Sequence, residues 1–450
     1  MKIKDAVRLA LLHCHRQGWL TSGVWGQDNE GVGPGAKGGV LAETQGLPFA
    51  HNTILNERSA AWIPYSAAFL RQPAVGVMQF ADYQHNTYDI MKMIGETCWA
   101  SGGRVPMPLV IMTAYGALSG KGALYHSQTV ENEMVGLPGW KVVSVSNPYD
   151  AATLLVAAIK DPNPVHFMYP RAHAGFPTDS ATTQGLAHLE LPGFALLPGE
   201  KELLESPSTL AGNPNARTQW LAYTTAPMEQ RDGSWVQAWP EGLLIPEDSL
   251  GTARLIRDGD QGVVFSHGRL MPMAWKAAQC LSFLTGQEIA VMDLRTLKPA
   301  PLADMQPLIE KSRGRILLLN EATAANNWMH SLAHEITQQF GWQFEAYPQV
   351  LSAKDSPVGQ SLAIEQQIVP QIEDVFVRLC EFFRPETLIR IGERVGVPLA
   401  LDGEKQWFDL ATLKTLATAA LKYAEQHDPV YTSGVNPVSP PAKAPAKTHV

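Results

Sequence analysis

Glu57 stands in "NTILNERSAAW", between an extended apolar piece and a helix-like run. A carboxylate in the first turn of a helix is favoured by the helix dipole. His126 stands in "GALYHSQTVE", on a Gly- and Ala-rich loop directly after a long apolar segment. Imidazole donates or accepts a proton near neutral pH, so His126 is either an ordinary surface histidine or a group aimed at a substrate. Asp161 and Asn163 in "AAIKDPNPV" lie between a helix end and a strand. Asp, Pro and Asn form turns. Helix-end carbonyls with a carboxylate also suit a hard cation, but from the residues alone the turn is the simpler reading. His330 and His334 in "HSLAHE" lie one helical turn apart, with no HExxH and no obvious third ligand, which reads as an exposed or packing pair. "GPGAKG" (33–38) fits G-x-G-x-x-G, yet no convincing strand precedes it and no βαβ unit frames it.

The elements that must position these groups follow from hydrophobic pattern. "AVGVMQF" (74–80), "PLVIMT" (108–113), "KVVSVS" (141–146) and "PVHFMY" (164–169) are short and rich in β-branched residues, with helical stretches at 84–99 and 147–161. Asn147 suits an N-cap, Pro148 the first helical turn and Asp150 the positive helix end. Strands separated by helices imply crossover connections and a parallel sheet. From about 185 to 250 the pattern gives way to a Pro-, Gly-, Thr- and Trp-rich stretch that reads as a linker or insertion. Alternation returns with "GVVFSHG", "EIAVMDL" and "RILLLNEA" and helices at about 270–285, 301–312 and 325–339. A largely helical extension and a Pro/Ala/Lys-rich tail end the sequence. The expected division is 1–185, 186–250, 251–380 and 381–450.

Apolar residues make up 45% of the 450 and charged residues 17%, the balance of a core-forming globular chain. A net charge of −8 and the lack of a basic stripe argue against nucleic acid as a partner. The four cysteines form no CxxC pair, which fits a reducing, cytoplasmic setting. The basic, then apolar, N-terminus is broken by Asp5, Arg8, His13, His15 and Arg16, so an amphipathic helix is expected there and not a signal peptide. No run of eighteen apolar residues predicts a membrane span.

Several of these pieces occur together and in order. "VMQFADY", "GALYHSQ", "GLPGWKVVSVSNPYDAATLLVAAIKDPNPV", "VMDLRTLKP" and "LLLNEA" closely resemble the beta subunit of the thiamine-diphosphate-dependent decarboxylating component of 2-oxo acid dehydrogenase complexes, pyruvate and branched-chain enzymes alike. The resemblance spans about 1–175 and 250–375. It implies an α/β chain of two doubly wound domains, a pyrimidine-binding transketolase-like domain and a transketolase C-terminal domain, with a helical C-terminal extension. By resemblance, Glu57 hydrogen-bonds the cofactor's aminopyrimidine and does general acid–base work on it, which a buried carboxyl of raised pKa suits. Leu55, Gln79 and Tyr83 line the ring, with Tyr83 stacked on its face. His126 faces the 2-oxo acid carboxylate or the acyl group leaving for lipoamide. Asp161, Asn163 and the Ala158 carbonyl match a monovalent-cation site, with potassium the candidate ion. No Gly-Asp-Gly occurs, so the diphosphate and magnesium fall to an alpha subunit in an α2β2 heterotetramer, and a lipoyl acyltransferase core docks on the C-terminal domain.

The sequence also departs from the family. Trp62 and Pro64 replace small residues in the helix after Glu57, and Pro64 predicts a kink. "GQD" (26–28) stands for the family's "GED". These departures keep two alternatives open: a non-catalytic scaffold of the same fold, and an acetoin-cleaving or transketolase-like relative.

Overall fold

A computed structural model describes residues 3–29, 43–44, 47, 49–117, 123–171, 228–231, 234–237, 248–401 and 407–433. The glycine run at 33–38, all of 186–247 except a short hairpin, and the tail from 434 lie outside the described residues.

The chain opens with α1 (Ile3–Arg16), β1 (Gly23–Gly26), β2 (Ala50–Asn52), α2 (Glu57–Phe69), β3 (Ala74–Met78), α3 (Tyr88–Ala100), β4 (Leu109–Tyr115) and α4 (Glu131–Gly136). It continues through β5 (Lys141–Ser144), α5 (Pro148–Lys160), β6 (Val165–Pro170) and the hairpin β7 (Met228–Arg231) and β8 (Ser234–Gln237). The second half runs β9 (Arg254–Arg257), β10 (Gly262–Ser266), α6 (Met271–Thr285), β11 (Ile289–Asp293), β12 (Thr296–Lys298), α7 (Leu302–Ser312), β13 (Ile316–Thr323), α8 (Trp328–Phe340) and β14 (Gln349–Ala353). Helices α9 (Leu362–Ile368), α10 (Ile372–Cys380), α11 (Pro385–Val395), α12 (Leu410–His427) and α13 (Pro429–Ser433) close it. No helix among the described residues is long and apolar enough to cross a membrane.

The strands assemble into a seven-stranded sheet, ordered β12-β5-β6-β4-β3-β1-β2, and a five-stranded sheet, ordered β14-β13-β10-β11-β9. Pairing is parallel except at the edges, where β12 and β9 run antiparallel to their neighbours. Strand residues alternate between two faces. In the first sheet Val75, Val77, Val110 and Met112 face α1 and α5, while Met78, Leu109 and Ile111 join a core on the other face. That second core also takes in Val263, Phe265, Ile316 and Leu318 of the second sheet, so both halves share it. Helices α6, α10, α11 and α12 cover the far face of the second sheet through Val264, Val291 and Leu317.

Local signals act where the sequence places them. The Asn147 side chain accepts from the Asp150 N–H at 2.9 Å and Pro148 opens α5, a cap worth about 1 kcal/mol. Helix α2 runs on through Pro64. Pro64 is buried, and Gly76 of β3 lies against it: a Cβ on Gly76 would meet the Ala60 carbonyl oxygen at 2.5 Å and Pro64 Cγ at 3.0 Å. The proline thus serves packing of the helix directly on the strand. Strand β12 differs from expectation. It lies in the "LRTLK" stretch of the second half, yet pairs with β5 and extends the first sheet.

A buried polar seam joins the halves. His267 Nε2 lies 3.1 Å from the Glu131 carboxylate, and His267 Nδ1 lies 2.9 Å from the Ser144 hydroxyl. Arg269 Nε donates to Glu321 at 2.8 Å, and Asn320 donates to Glu131 at 2.5 Å. Burial alone lowers the His267 pKa, but the Glu131, Asp293 and Glu321 carboxylates together outweigh it and the net shift is upward.

Candidate active site

The candidate side chains of the first sheet gather beyond the carboxyl ends of its parallel strands, the crevice where open α/β sheets bind ligands. Gln27 and Asp28 follow β1, Gln79 and Phe80 follow β3, and Arg171 follows β6.

Glu57 opens α2. Asn56 caps the helix by accepting from the Arg58 N–H at 2.9 Å. The Gln27 amide, turned oxygen-inward, accepts from the N–H groups of Asn56 at 2.9 Å and Glu57 at 3.2 Å. The backbone at Glu57 is therefore held from two elements while its carboxyl stays half-buried, less enclosed than the sequence reading expects. Beside it, Ile54 is 73% and Leu55 89% exposed, an apolar rim with nothing over it among the described residues.

Gln79 donates to the Asp28 carboxylate. Asp28 holds φ at +59°, a left-handed conformation few non-glycine residues adopt, and strain of that kind clusters at functional sites. The Tyr83 hydroxyl lies 2.9 Å from His126 Nε2. Burial raises the Tyr83 pKa, and Glu57, Asp82 and Asp28 push it further up, which marks how near those carboxylates stand. The structure thus brings Glu57, Gln79, Tyr83 and His126 to one edge. It gives Tyr83 a partner that the sequence reading did not foresee.

His126 directly follows a short helical turn, Ala123–Tyr125, and its loop is tied down at several points. Its ring meets Phe80 edge-on, with centroids 4.2 Å apart. Arg171 Nη1 donates to the His126 carbonyl, and its guanidinium lies 5.0 Å over the Phe80 ring. Asp82 Oδ2 accepts from the Gln128 N–H at 3.2 Å, while its buried Oδ1 has no partner among the described residues. Burial raises the Asp82 pKa. Ser127 donates to Glu365 Oε1 of α9 at 3.2 Å, so the second half helps seat the histidine loop. Phe80, Asp82, Arg171 and Glu365 were not among the sequence candidates. Phe80 and Asp82 fall inside the "QFADY" motif. Arg171 is marked only as the first basic residue after β6, and Glu365 carries no local signal.

Ala158, Asp161 and Asn163 lie at the opposite, amino-terminal edge of the sheet, between α5 and β6. Lys141 pairs with the Asp161 carboxylate. Asp161 Oδ1 accepts from both the backbone N–H and the side-chain amide of Asn163 at 2.9 Å, and the Ala158 carbonyl accepts from the Asp161 N–H at 3.3 Å. The turn satisfies its acceptors with protein donors, and a cation there would share Asp161 with an ammonium. His330 and His334 are both exposed, and no group of three or more His, Cys, Asp or Glu with metal-binding geometry occurs among the described residues.

At the candidate edge Glu57, Gln79, Tyr83 and His126 bring a carboxylate, an amide, a phenol and an imidazole to an open apolar rim. That set suits a neutral aminopyrimidine ring and supplies no Gly-Asp-Gly for a metal-bound diphosphate. It fits half of thiamine diphosphate.

Comparison with known proteins agrees with this anatomy. Residues 25–176 match the transketolase pyrimidine-binding domain and residues 251–375 the transketolase C-terminal domain. The acetoin:2,6-dichlorophenolindophenol oxidoreductase subunit beta of Cupriavidus necator is 26% identical over 76% of this chain and 83% of its own length. The 2-oxoisovalerate dehydrogenase subunit beta of Bacillus subtilis is 27% identical over 72% of this chain and 82% of its own. A solved split-gene transketolase, an inactive beta4 tetramer, superposes with a TM-score of 0.55 at 12% identity, over 85% of this chain and 98% of that one. Sequence match and fold together show that the chain belongs to the transketolase-like family that joins a pyrimidine-binding domain to a transketolase C-terminal domain, with beta subunits of 2-oxo acid and acetoin dehydrogenases among its relatives.

Proposed function

We propose that this chain is the beta subunit of a 2-oxo acid dehydrogenase decarboxylating component, supplying the pyrimidine half of a thiamine diphosphate site that an alpha subunit completes with the diphosphate and magnesium. The observation that carries the reading is the meeting of Glu57, Gln79, Tyr83 and His126 at one strand edge with an uncovered apolar rim. When bound, the cofactor supplies the carbanion stabilisation that decarboxylation needs. Leu55, Gln79 and Tyr83 hold and orient the ring. Glu57 exchanges a proton with the aminopyrimidine, fixed for that task by Gln27 and the Asn56 cap. His126, steadied through Tyr83, Phe80 and Arg171, faces the 2-oxo acid and the acyl group leaving for lipoamide. The partners are an alpha subunit in an α2β2 assembly and a lipoyl acyltransferase core, and the setting is cytoplasmic. A potassium ion at Ala158, Asp161 and Asn163 would act on stability alone, because that turn lies across the sheet from the chemistry.

The test is reconstitution with the alpha subunit and thiamine diphosphate. Glu57→Gln keeps the side-chain shape but not the acid–base group, and should lower 2-oxo acid decarboxylation on the order of a thousandfold. Full activity in that variant would remove the assignment. The match to an acetoin oxidoreductase beta subunit favours a second reading, in which the same half-site cleaves acetoin. Turnover of acetoin with none of pyruvate or 2-oxoisovalerate would select it.

A further inference from the structure

Arg171 is the one cation tied directly to the histidine loop among the described residues, and nothing in the sequence reading gave it a role. One guanidinium nitrogen holds the His126 carbonyl, and the plane lies on the Phe80 ring whose edge contact seats the imidazole. Among the described residues nothing accepts from its Nε or Nη2. Guanidinium and imidazole therefore share one aromatic support, each within about 5 Å of its centre. A planar fork with an open edge is the side chain best shaped to take a carboxylate through two hydrogen bonds.

The charges around Arg171 leave that edge short of anion. Burial lowers its pKa more than Glu365 and Asp82 raise it. Glu365 is already accepting from Ser127, and burial raises the Asp82 pKa toward the neutral acid. A desolvated guanidinium that its neighbours do not fully balance favours an anionic ligand over a neutral one.

We infer that Arg171 recognises the carboxylate of the substrate beside His126, and so sets the preference of this site for 2-oxo acids over uncharged hydroxyketones such as acetoin. The inference rests on the function proposed above. It separates from that function because anion recognition can be read without turnover.

The experiment titrates the full-length chain with pyruvate and 2-oxoisovalerate, and with their methyl esters, followed by saturation-transfer NMR. The acids should bind about tenfold or more tightly than the esters. Arg171→Gln should erase that difference while leaving the ester affinities in place, and Arg171→Lys, which keeps a cation but not the fork, should restore part of it. Equal binding of acid and ester by the native chain, or unchanged acid binding by Arg171→Gln, overturns the inference. Should Arg171→Gln fail to fold, Arg171→Lys alone decides: acid preference intact at the native level overturns the fork, and a reduced preference upholds it. In the reconstituted enzyme, 2-oxo acid turnover with an unchanged KM in Arg171→Gln overturns the carboxylate site and keeps the reaction. An acid preference that Arg171→Gln abolishes, in an enzyme without 2-oxo acid turnover, keeps the carboxylate site and overturns the reaction.

Discussion

The rim around Glu57 and the seam between the two sheets use similar residues to opposite ends. At the seam, Glu131 is 0% and His267 2% exposed, and each faces a charged or polar partner from the other half. At the rim, Glu57 is half-buried and Leu55 is 89% exposed. Burying a charge is tolerated only where a partner and hydrogen bonds compensate it. At the seam the chain supplies the charged partner itself, with hydrogen bonds between Ser144 and His267 and from Asn320 to Glu131. At the rim it stops short, leaving Ile54 and Leu55 uncovered, each able to gain about 1.5–3 kcal/mol on burial. The junction is closed by the chain's own residues, and the candidate edge is left open.

Removing one partner from the seam is the harshest test of that contrast. Glu131→Ala strands the raised-pKa imidazole of His267 and one N–H of the Asn320 amide. Loss of a partner from a buried pair costs about 3–5 kcal/mol, so the urea midpoint should fall sharply. A midpoint close to native would mean that the seam is hydrated and no different in kind from the rim. A smaller effect separates sealed interior without charge from both regions. His166 is fully buried in β6, paired to Gln84 at 2.9 Å, and burial lowers its pKa from 6.5 to about 3. The native state then holds it neutral where the unfolded chain protonates it. Its stabilising contribution is whole above pH 6.5 and is lost as pH falls toward 3. At pH 5 that loss is about 2 kcal/mol. Stability measured from pH 7 to pH 5 should fall less steeply in His166→Gln than in the native chain, and equal slopes would assign the acid sensitivity to the seam.

The contrast also explains what the sequence could reveal. Interior strands were legible because burial on both faces selects continuous apolar runs: "PLVIMT" becomes β4, "KVVSVS" β5 and "PVHFMY" β6. Helix α5 was legible from Asn147 and Pro148, since its cap is local. Strands β1 and β2 were not: β1 is only four residues with glycine at both ends, and β2 is a three-residue, partly polar edge strand. Strand β12 was missed because its partner lies more than 150 residues away in sequence. The site divides in the same manner. Glu57, Gln79, Tyr83 and His126 were reached through family motifs, and neither periodicity nor spacing singled them out. Arg171 and Glu365 meet the histidine loop only through tertiary folding, from the end of β6 and from α9, and no local pattern announces them. Nor could the sequence show what Pro64 packs against: Gly76, on another element, leaves the room that brings the helix onto the strand.

The rim gives the smallest effect on the isolated chain and the most telling one in the assembly. Ile54→Ala with Leu55→Ala removes exposed side chains that touch little, so the unfolding midpoint should stay within about 0.5 kcal/mol of native. If the rim is the uncovered half of a two-chain site, the same pair of changes should weaken association with the alpha subunit, or the affinity of the assembled enzyme for thiamine diphosphate, by about tenfold or more, as truncating apolar anchors does at interface centres. Analytical ultracentrifugation with cofactor titration reads both quantities on one sample. A destabilised isolated chain would show that Ile54 and Leu55 already pack against something within it, and the rim would then be a second interior. A stable chain with native association and native cofactor affinity would make the apolar rim an incidental surface. Only the third combination, an unmoved midpoint with a weakened assembly, is what an edge built to be finished by another chain requires, and it would place the boundary of this protein's active site at the boundary of the chain itself.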